Sequence, residues 1–385
     1  MENLLPATSF TRATMSRDAG KGCVNPGRLR RLMQRMVDIY SPAGKEEEIV
    51  DFLLGYLKRR GIPVIAQTVD ENRSNLIVMP PEGKADVALI GHIDTAVAYD
   101  LEHYGWQEQD GEISGLGAAD MKGGCAAMIE AFVAVWEGGG PKPPVALALV
   151  VGEEEEGDGA KKLLRDYHFP WAVIGEPTGM QPCFGHYGYI EAHVSVLGKR
   201  RHASLAEPGQ SPVEAMLRLL LETSRYVHEI RPEMVYNIRE LSSSQSGFAV
   251  PERCTAWLDL HLPPSALLGQ ITAEIEDVFH RERDANPGLN GALRFTTIHG
   301  GYELPEKGVV AEAFRGVFER RSLPWIPNVF RSHSDANLLW ASGVKPILLG
   351  PGELERAHSP DEAIAWDQVA LAADVYFDFL KSLLH

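Results

Sequence analysis

The sequence predicts an α/β protein: a mostly parallel sheet with helices on both faces, interrupted by an inserted α+β unit of ferredoxin-like order. Three observations carry that expectation. The runs 87–91 and 145–151 are apolar throughout and carry no charge, as strands buried on both faces do. Helical patterns alternate with such strands, which is how a parallel sheet with crossover helices reads. From about residue 185 the order changes to β-α-β-β-α-β. A chain of 385 residues is long for one compact domain, so two are expected. One comprises 28–184 and 299–385, and the other is the insertion 185–298.

Taken in order, 28–39 reads as a helix closed by Ser41-Pro42-Ala43-Gly44. A second helix carries Ile49, Val50, Leu53, Tyr56 and Leu57 on one face at i, i+3, i+4 spacing. Strands follow at 64–68, 75–79 and 87–91, then a Gly- and aromatic-rich loop or hairpin over 98–118. A helix over 121–136 has Met128, Phe132, Val135 and Trp136 as its expected core stripe, and Gly138-Gly139-Gly140-Pro141 ends it. Strand 145–151, helix 159–167 and strand 171–175 complete the first α/β half. In the insertion, 189–197 alternates apolar and polar residues like a half-exposed antiparallel strand. Helix 213–229, strands near 234–241 and 248–262, helix 267–283 and a strand near 293–298 follow. The α/β pattern resumes with helix 309–321, strand 325–330, helix 335–342, strand 345–349 and a closing helix over 366–384.

Composition narrows the function classes. Hydrophobic residues make up 44% and charged residues 23%, ordinary for a globular protein. A formal net charge of −16 argues against nucleic acid, because little here could neutralise phosphates. No apolar run approaches the roughly 20 residues of a membrane span. Cys23, Cys125, Cys183 and Cys254 are widely spaced, which suits a reducing cytoplasm rather than a disulfide framework. Residues 1–27 are polar, lack the apolar core of a secretory signal, and are expected to be a disordered lead, with Met15 and Met33 as alternative starts.

Chemistry-bearing residues cluster just past the strand ends: His92 and Asp94, Glu154 and Glu155, Glu176, and His358. Asp120 stands at the mouth of a helix, where aspartate is also a favoured cap. In open α/β sheets that edge binds ligands. Histidines and carboxylates without cysteine suit one or two zinc-like ions. Several ionisable groups converging on one edge would resist burial unless a cation or pairing offset the cost.

These motifs resemble the M20-type zinc aminoacylase and carboxypeptidase family, the relatives of acetylornithine deacetylase, succinyl-diaminopimelate desuccinylase and glutamate carboxypeptidase. The matching pieces are Gly91-His92-Ile93-Asp94-Thr95, Gly117-Ala118-Ala119-Asp120-Met121-Lys122-Gly123, the glutamate run 153–157, Gly175-Glu176-Pro177-Thr178 and Ala357-His358-Ser359-Pro360-Asp361-Glu362. With the insertion, the resemblance spans about 35–380. It implies two Zn2+ ions, with Co2+ as a substitute, bridged by Asp120. His92 and Glu176 would complete one site, and Glu155 and His358 the other. Asp94 would orient His92, and Glu154 would be the general base. The four-glutamate run leaves a second register open, with Glu155 as base and Glu156 as ligand.

The resemblance further implies a cytoplasmic homodimer joined through the insertion, which acts as lid and dimerisation domain. His202, in Gly198-Lys199-Arg200-Arg201-His202-Ala203-Ser204, would reach the site from the partner subunit. Relatives that hold a substrate carboxylate often carry an Asn before a Val-Pro turn and an Arg ending the next strand. Here Phe248 and His261 stand in those places, and an imidazole offers neither the fork nor the permanent charge of a guanidinium. Arg331, before a helix near the sheet edge, could substitute. The expected activity is removal of an acetyl or succinyl group from an amino acid. A carboxypeptidase or dipeptidase acting on a short peptide is the alternative, and a non-catalytic scaffold the remote one.

Overall fold

In the computed structural model, residues 22–207, 209–245, 247–285 and 290–384 are described. The expected lead therefore lies mostly outside the described residues, but its last part does not behave as one. Asn25 caps the first helix, Pro26–Asp38, by accepting the Arg28 N–H at 3.0 Å, and its own N–H is held by the buried Glu130 at 2.7 Å. The first described helix starts after Asn25 because proline in the first helical turn and an Asx cap favour a helix start there.

The main sheet has a parallel centre with antiparallel flanks. Strands Val145–Val150, Val87–His92, Trp171–Ile174 and Lys345–Leu348 lie side by side in that order, each parallel to its neighbour. Ser74–Val78 and Val64–Thr68 add on antiparallel at one edge. Cys183–His186 and Tyr302–Glu303 add antiparallel at the other, with Asn328–Phe330 parallel to Cys183–His186. The four central strands sit among helices on both faces, so the charge-free runs Val87–Ile90 and Val145–Val150 are buried throughout. Helices Pro26–Asp38, Gly123–Glu137, Val309–Arg320 and Trp366–Ser382 pack against one another, and Phe314 stacks on Phe379 at 4.1 Å. Ile49, Val50, Leu53, Tyr56 and Leu57 form the buried face of Glu47–Lys58, as their spacing requires.

The helix Gly123–Glu137 departs from expectation. Every residue from Gly123 to Ala134 is buried, whereas Val135 and Trp136, expected in its core stripe, are only partly covered at its exit. The helix lies between the sheet and other helices, so no single stripe defines it. Its first turn needs glycine: a Cβ on Gly124 would overlap the Gly175 carbonyl oxygen. Opposite, a Cβ on Gly91 would stand 2.5 Å from Cys125 Sγ and 2.9 Å from Met121 Cε.

The insertion builds its own antiparallel sheet and its own apolar core. The strand order is Val235–Ser243, Arg253–Leu262, Gly188–Leu197, Asn290–His299, covered by helices Pro212–Ile230 and Leu268–Ala285. Gly188–Leu197 alternates buried and half-buried residues along its length, the pattern of a sheet with one covered face. The crossing points fall slightly off the expected limits. Gly185 and His186 still belong to the main sheet, and His299 still belongs to the inserted one. The expected strand 248–262 is split, since Pro251 interrupts it between Ala249–Val250 and Arg253–Leu262.

The contact at Gly124 yields a direct check. Gly124→Ala should destabilise the protein by about 1–3 kcal/mol, the usual cost of overpacking. A urea midpoint unchanged from wild type would show that the helix can back away from Gly175.

Candidate metal centre

The four central parallel strands each deliver a side chain at their carboxyl ends. His92 closes Val87–His92, Glu153 and Glu154 follow Val145–Val150, and Glu176 follows Trp171–Ile174. His358 comes from the loop after Lys345–Leu348. Asp120 enters from the side, on the tight turn Ala118–Lys122 that opens helix Gly123–Glu137. Side chains scattered over more than 260 positions thus meet because one sheet edge collects them.

They meet as two overlapping sets. His92, Asp120 and Glu176 place one donor atom each within 4.8 Å of one another, and so do Asp120, Glu154 and His358. Asp120 belongs to both. His92 Nε2 lies 3.2 Å from Asp120 Oδ1, and His358 Nε2 lies 3.6 Å from Asp120 Oδ2 and 2.9 Å from Glu154 Oε2. His358 adopts a left-handed backbone (φ 52°), and the Tyr99 hydroxyl donates to its carbonyl at 3.0 Å.

Charge is out of balance here. Burial and the charge on Asp120 push the Glu176 carboxyl well up. Burial, reinforced by Glu176 and Asp335, pushes Glu153 up as well. Burial works against a charged His92, yet the Asp120 hydrogen bond and the surrounding carboxylates win and raise it well above its usual range. Across the two donor sets the carboxylates outnumber the imidazoles, three to two. At 4–5 Å and an effective dielectric of about 20, each carboxylate pair repels by about 3–4 kcal/mol. Two such pairs approach the whole stability of a typical domain. A hard or borderline cation fits this donor chemistry.

Other residues hold the donors in place. Asp94 lies under the acidic loop: its Oδ2 accepts the Glu154 N–H at 2.9 Å. His92 Nδ1 faces the Asp94 carbonyl oxygen at 3.1 Å, with the buried and otherwise unpartnered Asp94 Oδ1 at 3.7 Å. Glu362 accepts the backbone N–H groups of Gly117, Ala119 and Asp120 at 2.9, 2.9 and 3.1 Å, which fixes the Asp120 turn. Lys122 is buried beside it, donating to the Ile39 carbonyl at 2.9 Å.

Several expected residues are found elsewhere. Glu155 is exposed and stands in neither donor set; Glu154, expected as the base, takes that place. The acidic loop is anchored by Asp94 and by the Ala96 N–H, 3.1 Å from Glu154 Oε1, and these bonds turn Glu154 inward. Glu156, the ligand of the alternative register, is exposed too and stands in neither donor set. Arg331 faces away: it lines a separate cavity of about 1040 Å³ with its guanidinium 5.9 Å from the Tyr187 ring. Its neighbour Ser332 lines the donor pocket instead, as alternation along an extended segment demands. His202 is exposed on the insertion, bonded to Ser204 Oγ at 2.7 Å, and lines neither the donor pocket nor the cleft. His261 does line the large cleft beside the donors.

Sequence reasoning gave no role to Glu153, Glu362 or His333. Glu153 opens onto the pocket of about 110 Å³ that also holds Asp120, Glu154, Glu176, His333 and His358. Its signal was hidden in a run of four identical residues. Glu362 sits four positions after His358 inside a motif already singled out, and that spacing was its only signal.

The family model described as Peptidase family M20/M25/M40 matches residues 88–382. Acetylornithine deacetylase of Edwardsiella ictaluri is 28% identical, over 83% of this chain and 87% of its own. The N-formyl-4-amino-5-aminomethyl-2-methylpyrimidine deformylase of Bacillus subtilis is 25% identical, over 89% and 90%. Among solved structures, a Staphylococcus aureus tripeptidase superposes with a TM-score of 0.77 at 20% identity, covering 94% of this chain and 99% of its own. An M20 family metallo-carboxypeptidase from Sulfolobus solfataricus gives 0.72 at 15%, covering 93% and 99%.

Glu362→Gln tests the support of the Asp120 turn. It places an amide N–H₂ where one backbone-bound oxygen stood, so metal affinity by chelator competition should fall about 10–100-fold with the circular dichroism unchanged. Unaltered affinity would mean the turn holds itself.

Proposed function

Since the chain belongs to peptidase family M20/M25/M40, we propose that it is a two-metal amidohydrolase removing an acetyl or succinyl group from the nitrogen of an amino acid. The observation that carries this reading is the sharing of Asp120 between two sets of three donors. Imidazole and carboxylate donors without thiolate suit zinc, with cobalt as a working substitute. Cys125 is no candidate: its thiol donates to the His92 carbonyl, and burial pushes it up to about 12. His92, Asp120 and Glu176 would hold one ion, and Asp120, Glu154 and His358 the other.

Bound there, the ions supply Lewis acidity toward the amide carbonyl and an acidified water. The rest falls to the chain. Glu153 shares the donor pocket without belonging to either donor set, so it is the carboxylate free to take the water's proton. The water's hydroxyl oxygen bonds to the carbonyl carbon, and as the carbon–nitrogen bond breaks the proton passes from Glu153 to the leaving nitrogen, giving a carboxylic acid and an amine. Asp94 keeps both the His92 ring and the acidic loop in place during these steps.

The deacylase reading draws support from the relative named acetylornithine deacetylase. Biosynthetic deacetylation in the cytoplasm is the use we assign. All four cysteines are free, in keeping with a reducing compartment, and no described helix is long and apolar enough to cross a membrane. Carboxypeptidase or dipeptidase action is the second reading, favoured by a cleft of about 650 Å³ beside the donors, roomy enough for a dipeptide. A scaffold role would leave the complete donor set without a purpose.

Two substitutions discriminate the register. Glu153→Gln should lower kcat by about 10²–10⁴-fold with both ions retained, while Glu155→Ala should stay within about threefold of wild type. The opposite pattern would restore Glu155 to the centre. On the zinc- or cobalt-loaded enzyme, acetate or succinate release from acylated amino acids should exceed release of a C-terminal residue from dipeptides. The reverse ranking would establish the peptidase.

We also propose a homodimer through the insertion. Its outer strand Val235–Ser243 is exposed at nearly every residue, and Leu217 and Leu221 lie 46% and 69% exposed on the adjoining helix. An open strand edge beside exposed leucines is what a second copy would cover. His202 on the same unit would then reach the partner's site as a donor to the developing oxyanion. Sedimentation should give twice 42.4 kDa, and His202→Ala should lower kcat by about 10²–10³-fold without changing that mass. A fully active monomer would refute the assignment.

A further inference from the structure

The donor pocket is the middle of three cavities. At about 110 Å³ it is small against its neighbours, the cleft of about 650 Å³ and the cavity of about 1040 Å³ that holds Arg331. Glu153, Glu154, His333 and His358 line both the donor pocket and the cleft. On the other side, Phe330 and Leu354 line both the donor pocket and the Arg331 cavity. A substrate with its amide in the donor pocket has room for two long halves only if they run out into these neighbours.

Proton delivery decides which half goes where. In the proposed reaction Glu153 hands its proton to the leaving nitrogen, and Glu153 lines the cleft but not the Arg331 cavity. The amine half then lies toward the cleft, whose histidines His261 and His299 are kept neutral by burial and where the partner's basic loop would also arrive. The acyl half is left with the opposite exit, past Phe330 and Leu354.

That exit has apolar walls and one unspent polar group. Met180, Leu323, Ile326 and Val329 supply the walls. The neutral polar side chains are engaged within the protein. The Thr178 hydroxyl donates to the Gly350 carbonyl at 3.2 Å, the Asn328 amide to Gln181 Oε1 at 2.9 Å, and Gln368 Oε1 accepts the Gly352 N–H at 2.9 Å. Arg331 is the one cation lining the cavity. Among the described residues it forms no ion pair, although the exposed Glu353 and Glu355 line the same space. Its guanidinium stands 5.9 Å over the Tyr187 ring, and the Tyr187 N–H donates to the Phe330 carbonyl at 2.9 Å, which holds the segment in place. An open guanidinium fork beyond an apolar passage suits a carboxylate.

We infer that the acyl half of the substrate is an extended dicarboxylic chain, succinyl, glutaryl or longer rather than acetyl, lying against Phe330 and Leu354 with its far carboxylate on the Arg331 guanidinium. This rests on the amidohydrolase reading for which half lies there, but not for the binding of a dicarboxylate. Arg331 is a specificity-determining residue for the acyl half, and the amino-acid carboxylate is held on the cleft side.

The test compares N-acetyl-, N-valeryl- and N-glutaryl-L-alanine on the metal-loaded enzyme, and measures glutarate and valerate binding to it by calorimetry. Valeryl and glutaryl differ only in carrying a methyl or a carboxylate at the far end. The glutaryl compound should exceed the valeryl one at least about tenfold in kcat/KM, and glutarate should bind at least about tenfold more tightly than valerate. Arg331→Gln, at an exposed position, should abolish both preferences. Leu354→Trp should narrow the passage and lower the ratio of glutaryl to acetyl turnover. A preference for valeryl, or equal losses on all three substrates in Arg331→Gln, overturns the inference and leaves the amidohydrolase reading standing. If no acyl compound is cleaved but glutarate binds in an Arg331-dependent way, the reaction falls and the anion site remains. Absence of both cleavage and Arg331-dependent binding ends both.

Discussion

Everything in this fold is arranged around a crowd of like charges that the chain itself does not neutralise. Asp120, Glu154 and Glu176 are brought to one sheet edge together with His92 and His358. Left fully ionised and unpaired, they would repel one another by an amount comparable to the net stability of a domain. The scaffold must therefore be rigid enough to hold them together before a cation arrives. Four adjacent parallel strands, buried on both faces, supply that rigidity.

Rigidity in the sheet alone would not aim the donors, because each sits on a loop. The aiming is done by carboxylates that are not donors. Asp94 spends one oxygen on the Glu154 N–H, and Glu362 spends both on the Asp120 turn. A backbone N–H bound to a carboxylate is a strong, directional bond. The acids at this edge thus divide into those that could hold a cation and those that hold the loops. Glycine at 91 and 124 lets the Asp120 helix approach closely enough for the two groups to meet.

Much of this was legible in the sequence, for identifiable reasons. Runs such as 87–91 and 145–151 are too short for a buried helix and so read as buried strands. The faces of Glu47–Lys58 and Gly188–Leu197 follow from spacing alone. Which glutamate turns inward was not legible. The residues 153–156 are chemically identical, and the choice is made by Asp94 and Ala96, some 60 positions away. Arg331 failed for a similar reason: proximity to the sheet edge does not fix on which side of an extended segment a side chain emerges. Residues 25–27, expected in the lead, belong to the first described helix and its cap, because a cap and a proline outweigh a polar composition.

The division of labour between the two sheets follows from electrostatics. The parallel sheet gathers anionic donors, and in the proposed reaction its groups would act only on the carbonyl and the leaving nitrogen. Surfaces beyond that point belong to the antiparallel sheet, whose Tyr189, His261 and His299 line the adjoining cleft. A cationic clamp on that sheet would be drawn toward the glutamates of the acidic loop and would compete with metal for them. Arg239 shows how that danger is contained: Glu191 and Asp259, on the strands beside it, neutralise it before it reaches the centre. Uncharged rings carry no such conflict, so they can stand against the donor pocket without disturbing its charge.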